Sequence, residues 1–150
     1  MAVKAMGWAH SFPVSGGVSA GRRWTREHLE CLAWTAEEPE TVDAVVLTVS
    51  ELLTNAHIHA HSDARLVLTW DGACLQVSVH DEDPTPPCRR DPEPGAVSGR
   101  GVGIVRMLAD EWGTQCRRHG KTVTACFRPA AVRQRDDDGR GDARLCGDDG

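Results

Sequence analysis

From Val42 onward, Val45, Val46, Val49, Leu52, Leu53 and Ala56 follow at steps of three residues or one, the rhythm of a helix with a single apolar face. Valine-rich segments lean towards strand by propensity, but that preference is weak and the period overrides it. Glu38-Pro39 opens the segment, and proline suits a first helical turn because its fixed φ is already helical and its missing N–H needs no partner there. One such helix cannot bury its own stripe, so the rest of the chain must supply the opposing layer.

The residues that follow supply it. Arg65 to Trp70 alternates, with Leu66, Leu68 and Trp70 on one side, and Cys74 to His80 repeats the pattern with Leu75, Val77 and Val79. Asp71-Gly72 between them has the chemistry of a hairpin turn. Upstream, His10 to Val14 reads as a short strand and Val18 to Trp34 as a helix. Residues 82–100 hold five of the eight prolines and almost no large apolar side chain, which marks a long loop of functional character. Gly101 to Asp110 resumes a helix, and Trp112–Arg118 and Thr122–Phe127 form a closing hairpin around His119-Gly120-Lys121. This order predicts an α+β fold, a two-layer α/β sandwich with a mostly antiparallel mixed sheet and helices on one face. The domain is expected over residues 1–128, and 129–150, rich in Asp, Arg and Gly, as a disordered polar tail.

At 150 residues the chain can bury one core without staples, and with two Phe and no Tyr that core must be aliphatic. A net charge of −5 argues against a long nucleic-acid contact surface. No apolar run approaches the roughly 20 residues of a membrane span, and the N-terminus does not read as a signal peptide, so a cytoplasmic protein with no membrane partner is expected. The six cysteines are dispersed and form no C-x-x-C pair, so reduced thiols are expected and a cysteine zinc site is not. His57 and His61 are four apart, but Ser62-Asp63 signals the end of the helix; imidazoles favoured at its negative pole explain them better than zinc does.

Three places carry residues suited to chemistry. Glu51 and Asn55 stack one turn apart on a ridge beside the apolar stripe, with His59 a further turn on. An amide oxygen is a hard ligand suited to Mg²⁺, and a neighbouring carboxylate can orient or deprotonate a nucleophile. Asp81 ends the second strand, where a carboxylate can accept hydrogen bonds from an exocyclic amine. Ser98-Gly99-Arg100-Gly101-Val102-Gly103 lets backbone N–H groups approach phosphate oxygens ahead of a helix N-terminus. Taken singly, each has a plainer explanation: a solvated helix face, a strand-ending turn residue, a hinge before a helix.

Taken in order, the segments resemble the histidine-kinase-like ATPases of the GHKL, or Bergerat-fold, superfamily. Glu51-Leu-Leu-Thr-Asn55-Ala-His-Ile-His59-Ala looks like its N-box, Val79-His-Asp81 like the first glycine box, Gly99-Arg-Gly-Val-Gly103-Ile-Val like the second, and Gly120-Lys-Thr-Val-Thr like the closing strand. The likeness runs from about Phe12 to Arg128, and small bacterial anti-sigma-factor serine/threonine kinases and their regulatory relatives look most similar. The resemblance implies ATP and Mg²⁺ as cofactors, with Asn55 on the metal and Glu51 as catalytic base. It implies Asp81 on the adenine amine, Gly99, Arg100, Gly101, Val102 and Gly103 around the phosphates, and Thr122 at the adenine end. It further implies a sigma factor and an anti-anti-sigma protein as partners and leaves room for a homodimer. One departure stands out: the first glycine box usually continues D-x-G-x-G, whereas here it is Asp81-Glu-Asp83-Pro-Thr85. A phosphotransferase and a module that uses nucleotide only to set its shape both fit this set.

Overall fold

The computed structural model describes residues 6–60, 63–82, 105 and 107–133. Strand β1 (Met6–Phe12) leads into helix α1 (Gly17–Leu29), a 3-10 turn at Ala33–Glu37 and helix α2 (Pro39–Ala60). Strands β2 (Ala64–Trp70) and β3 (Leu75–Asp81) follow, and β4 (Glu111–Arg117) and β5 (Gly120–Phe127) close the sheet. The strand order is β1-β2-β3-β5-β4 with all four pairings antiparallel, so β5 inserts between β3 and its own hairpin partner. This is the expected α+β architecture, with an antiparallel rather than a mixed sheet among the described strands.

The helical stripe read from the sequence is the one that is buried. Val45, Val49 and Leu53 are fully enclosed, and Val46, Leu52 and Ala56 nearly so. All but Val46 join one core with the inner side chains of the sheet, Leu66, Leu68, Leu75, Val77, Val79, Val123, Ala125 and Phe127. Burying each of the Val, Leu and Phe side chains contributes about 1.5–3 kcal/mol. Helix α1 lies along α2, and Gly21 permits their close approach: a Cβ there would collide with Leu53 Cδ1.

Some boundaries differ from the sequence expectation. Helix α1 stops at Leu29 rather than running to Trp34, because the buried Thr35 hydroxyl sits 2.7 Å from both the Leu29 and Leu32 carbonyls and draws the chain into the 3-10 turn. Strand β1 covers Met6–Phe12 instead of His10–Val14; most of its residues are exposed, so no alternation marks it. The β2–β3 turn spans four residues, with Asp71 Oδ1 accepting the N–H groups of Ala73 and Cys74, each at 2.8 Å. Those two bonds, Cys74's first, hold the Asp71 carboxyl below its ordinary value of 3.8. Packed structure also passes the boundary at 128. A helical turn buries Val132, and Ala130 N–H donates to Glu38 Oε2 at 3.0 Å.

The cysteine expectation is corrected. Cys74 and Cys126 form a disulfide, with sulfurs 2.10 Å apart, while Cys31 and Cys116 are free and exposed. The two lie 52 residues apart in sequence, and only the pairing of β3 with β5, which sets Gln76 opposite Cys126, makes them neighbours.

Candidate functional site

The site is assembled at one end of the sheet. Only residues 61–63 separate the end of α2 from the start of β2, and β2 begins level with the end of β3, Arg65 facing His80. Asp81 in turn pairs in register with Lys121 at the start of β5. The end of α2, the end of β3 and the start of β5 therefore lie towards the same end of the sheet, and α2 packs on both strands.

Glu51 and Asn55 are half-buried on α2, while Leu52, Leu53 and Ala56 beside them take the core positions. The amide oxygen of Asn55 is buried and has no hydrogen-bond partner among the described residues. An unsatisfied buried acceptor costs about 1–3 kcal/mol, and an amide oxygen is the type of ligand a hard divalent cation takes. Asn55 thus fits the metal that the N-box implies. The neighbouring Thr54 hydroxyl, by contrast, donates back to the Ser50 carbonyl at 2.7 Å. His57 is buried, and its Nε2 donates to the Phe12 carbonyl at 3.1 Å, tying α2 to the end of β1.

Asp81 is 3% exposed and Lys121 4%. The Lys121 ammonium lies 3.2 Å from Asp81 Oδ1 and 3.1 Å from Oδ2, so one donor group spans both carboxylate oxygens. Gly120 makes this approach possible, since a Cβ there would strike the Asp81 carbonyl oxygen. The pair is the polar end of an otherwise apolar surface, and Lys121 is the residue that motif matching passes over. Alternation along β5 is the signal for it. With Val123, Ala125 and Phe127 pointing inward, Lys121 must as well.

The same alternation separates Thr122 from the rest of the predicted set. Its hydroxyl lies 3.0 Å from His80 Nδ1 on the outer face, beside the Ser78–Thr124 pair at 3.1 Å. Thr122, expected at the adenine end, therefore does not share a face with Asp81. Gly99, Arg100, Gly101, Val102 and Gly103 lie outside the described residues, as do Asp83 and Thr85. The fully buried Val105, whose carbonyl accepts Ala109 N–H at 2.9 Å, belongs to the helix expected after the glycine loop.

No helix among the described residues is long and apolar enough to cross a membrane. No curated protein sequence matches the chain. Among solved structures it is similar to the RsbU and RsbW domains of Rv1364c from Mycobacterium tuberculosis, with a TM-score of 0.55 and 19% identity. That likeness covers 82% of this chain and 32% of the other, so the chain spans about a third of the length of the structure it matches. At such identity it speaks for the fold. Residues 16–127, which enclose Glu51, Asn55, Asp81 and Lys121, match the histidine kinase-like ATPase domain, and the chain belongs to that family.

Proposed function

We propose that this chain binds ATP with Mg²⁺ and is a protein serine/threonine kinase of anti-sigma-factor type, acting on an anti-anti-sigma partner and sequestering a sigma factor. The observation that carries the reading is the buried amide oxygen of Asn55, without a hydrogen-bond partner among the described residues and one helical turn from Glu51. In this reading Asn55 is the metal ligand, and Glu51 takes the proton from the acceptor serine as the γ-phosphoryl group moves to it and ADP leaves. Asp81 accepts from the exocyclic amine of adenine, and Gly99 to Gly103, with Arg100 and Val102, offer backbone N–H groups to the phosphates. Membership of an ATPase domain family supports the nucleotide, and likeness to a structure that includes an RsbW domain supports the regulatory setting.

A second reading, a non-catalytic module whose nucleotide state controls partner binding, is favoured by one feature: Asp83-Pro-Thr85 stands where glycines usually allow close backbone approach. Titration calorimetry with ATP, with and without Mg²⁺, tests the shared claim, and metal-dependent binding is expected. Absence of heat at millimolar nucleotide in both conditions defeats both readings. Phosphotransfer from labelled ATP to candidate anti-anti-sigma proteins then separates them. Under the kinase reading Glu51→Gln slows transfer by about 10²–10⁴-fold with ATP binding retained. Under the module reading wild type transfers nothing, yet ATP still alters partner affinity.

A further inference from the structure

We propose that the groove between the end of α1, the 3-10 turn and the start of α2 docks a basic segment of a partner protein. One apolar side chain of that segment sits in the groove, between flanking lysines or arginines. The groove encloses about 410 Å³, with Ala33, Pro39 and Val42 presented above the buried Leu29 and Leu32. Arg26 of α1 and Asp43 of α2 also line it, paired with each other at 3.0 Å.

Charge selects the occupant. Residues 27–43 hold six acids, Glu27, Glu30, Glu37, Glu38, Glu40 and Asp43, and no Lys or Arg, which exceeds the net −5 of the whole chain. Asp43 is held by Arg26, and Glu38 accepts the Thr41 hydroxyl and the Ala130 N–H, each at 3.0 Å. Glu27, Glu30, Glu37 and Glu40 are exposed and pair with no cation among the described residues. Glu37 and Glu40 stand at the N-terminus of α2, where the helix dipole favours an anion. Glu27, in the last turn of α1, and Glu30, its C-cap, have no such explanation. There the dipole disfavours an anion, and the two acids stand three residues apart, close enough to repel each other. Acids placed against local stability beside an accessible apolar groove suit cations brought by another molecule. The same charge repels anionic lipid and nucleic acid. Among the described residues no three acidic, His or Cys groups converge to hold a metal ion, which leaves a basic segment as the occupant. Val42 precedes Asn55 by more than three turns of α2, so the inference stands apart from the nucleotide reading.

The test is titration of the isotope-labelled full chain, without nucleotide, with a short peptide that carries Lys-Arg pairs on both sides of a central leucine. Amide resonances of Ala33, Ala36 and Val42 should shift saturably, and added salt should weaken the binding. Replacing the peptide's leucine by serine should weaken it by about tenfold. Glu27→Gln together with Glu30→Gln should weaken it by about 2- to 20-fold while leaving the urea midpoint unchanged or raised. Absence of shifts at the groove overturns the proposal. Shifts spread over the acidic surface with no dependence on the leucine overturn it as well, since they show attraction without docking. A lowered urea midpoint in the double variant overturns it by making the two acids structural. A dimer in sedimentation that Val42→Glu abolishes seats a second copy in the groove and overturns the choice of partner.

Discussion

Along the outer face of β3 and β5, Ser78 meets Thr124 and His80 meets Thr122, each polar group finding its partner directly across the ladder. Along the inner face the same two strands carry Leu75, Val77 and Val79 against Val123, Ala125 and Phe127, and both end on a charge, Asp81 against Lys121. The outer pairs are half-exposed, so water substitutes for either partner at little cost. The inner pair is buried, where ions pay a large desolvation penalty that their attraction repays only with good geometry. A polar residue on the open face therefore costs little to place, whereas a charged pair ending the covered face persists only because each ion holds the other.

Leu68 and Thr69, consecutive residues on opposite faces of β2, expose that contrast most directly. Leu68 is fully buried, and Leu68→Ala is expected to cost about 2–5 kcal/mol. Thr69 is half-exposed with a long 3.4 Å contact to Gln76, and Thr69→Ala should change stability by no more than about 0.5 kcal/mol. Urea unfolding with an unchanged slope measures both. Similar losses for the two variants would mean that the outer face is covered as well.

Much of this arrangement is legible in the sequence, and the parts that are not share a cause. The α2 stripe and the alternation of β2 and β3 show because each element buries one side, so hydrophobicity records geometry. Strand β1 hides because it is an edge strand with little buried on either side. The end of α1 depends on the hydroxyl of Thr35, six residues beyond Leu29, and no periodicity reports that. Glu51, Asn55 and Asp81 were visible as types of residue in a family order, but the order of boxes is silent about faces. Period-2 counting along β5 was needed to see that Lys121, not Thr122, turns toward Asp81. The Cys74–Cys126 contact depends on a strand pairing between distant segments, which cysteine spacing does not encode.

Glycines sharpen the comparison at intermediate size. Gly120 has φ 155° and its added Cβ would meet the backbone of Asp81, so Gly120→Ala should cost about 1–3 kcal/mol. Gly113, on the outer face of β4 opposite Thr124, has open space where its Cβ would stand. Gly113→Ala should be neutral or stabilising by about 0.4–1 kcal/mol, since alanine restricts the unfolded chain without strain. Thermal unfolding of the two variants gives the sign, and a stable Gly120→Ala protein would show that β5 can retreat from Asp81.

The smallest effect is expected at the turn that joins β2 to β3, where Asp71 is exposed to solvent beyond either face. The N–H groups of Cys74 and Ala73 stabilise its carboxylate and lower its pKa from 3.8. In the unfolded chain those two bonds are gone and the carboxyl returns to its ordinary value. Between the two pKa values the unfolded state binds more protons than the folded one, so stability rises with pH in that window. The contribution is fully present above the unfolded value and is lost as the pH falls through the folded one. Asp71→Asn keeps an acceptor oxygen but carries no charge, which makes it the right comparator. Its urea midpoint should lie slightly below that of wild type near pH 6 or so, and the gap should close as acid is added below about pH 4. Solvent screening keeps the gap modest, in contrast to the buried face. A gap that stays constant through acid would assign the effect of Asp71 to the shape of the turn rather than to its charge.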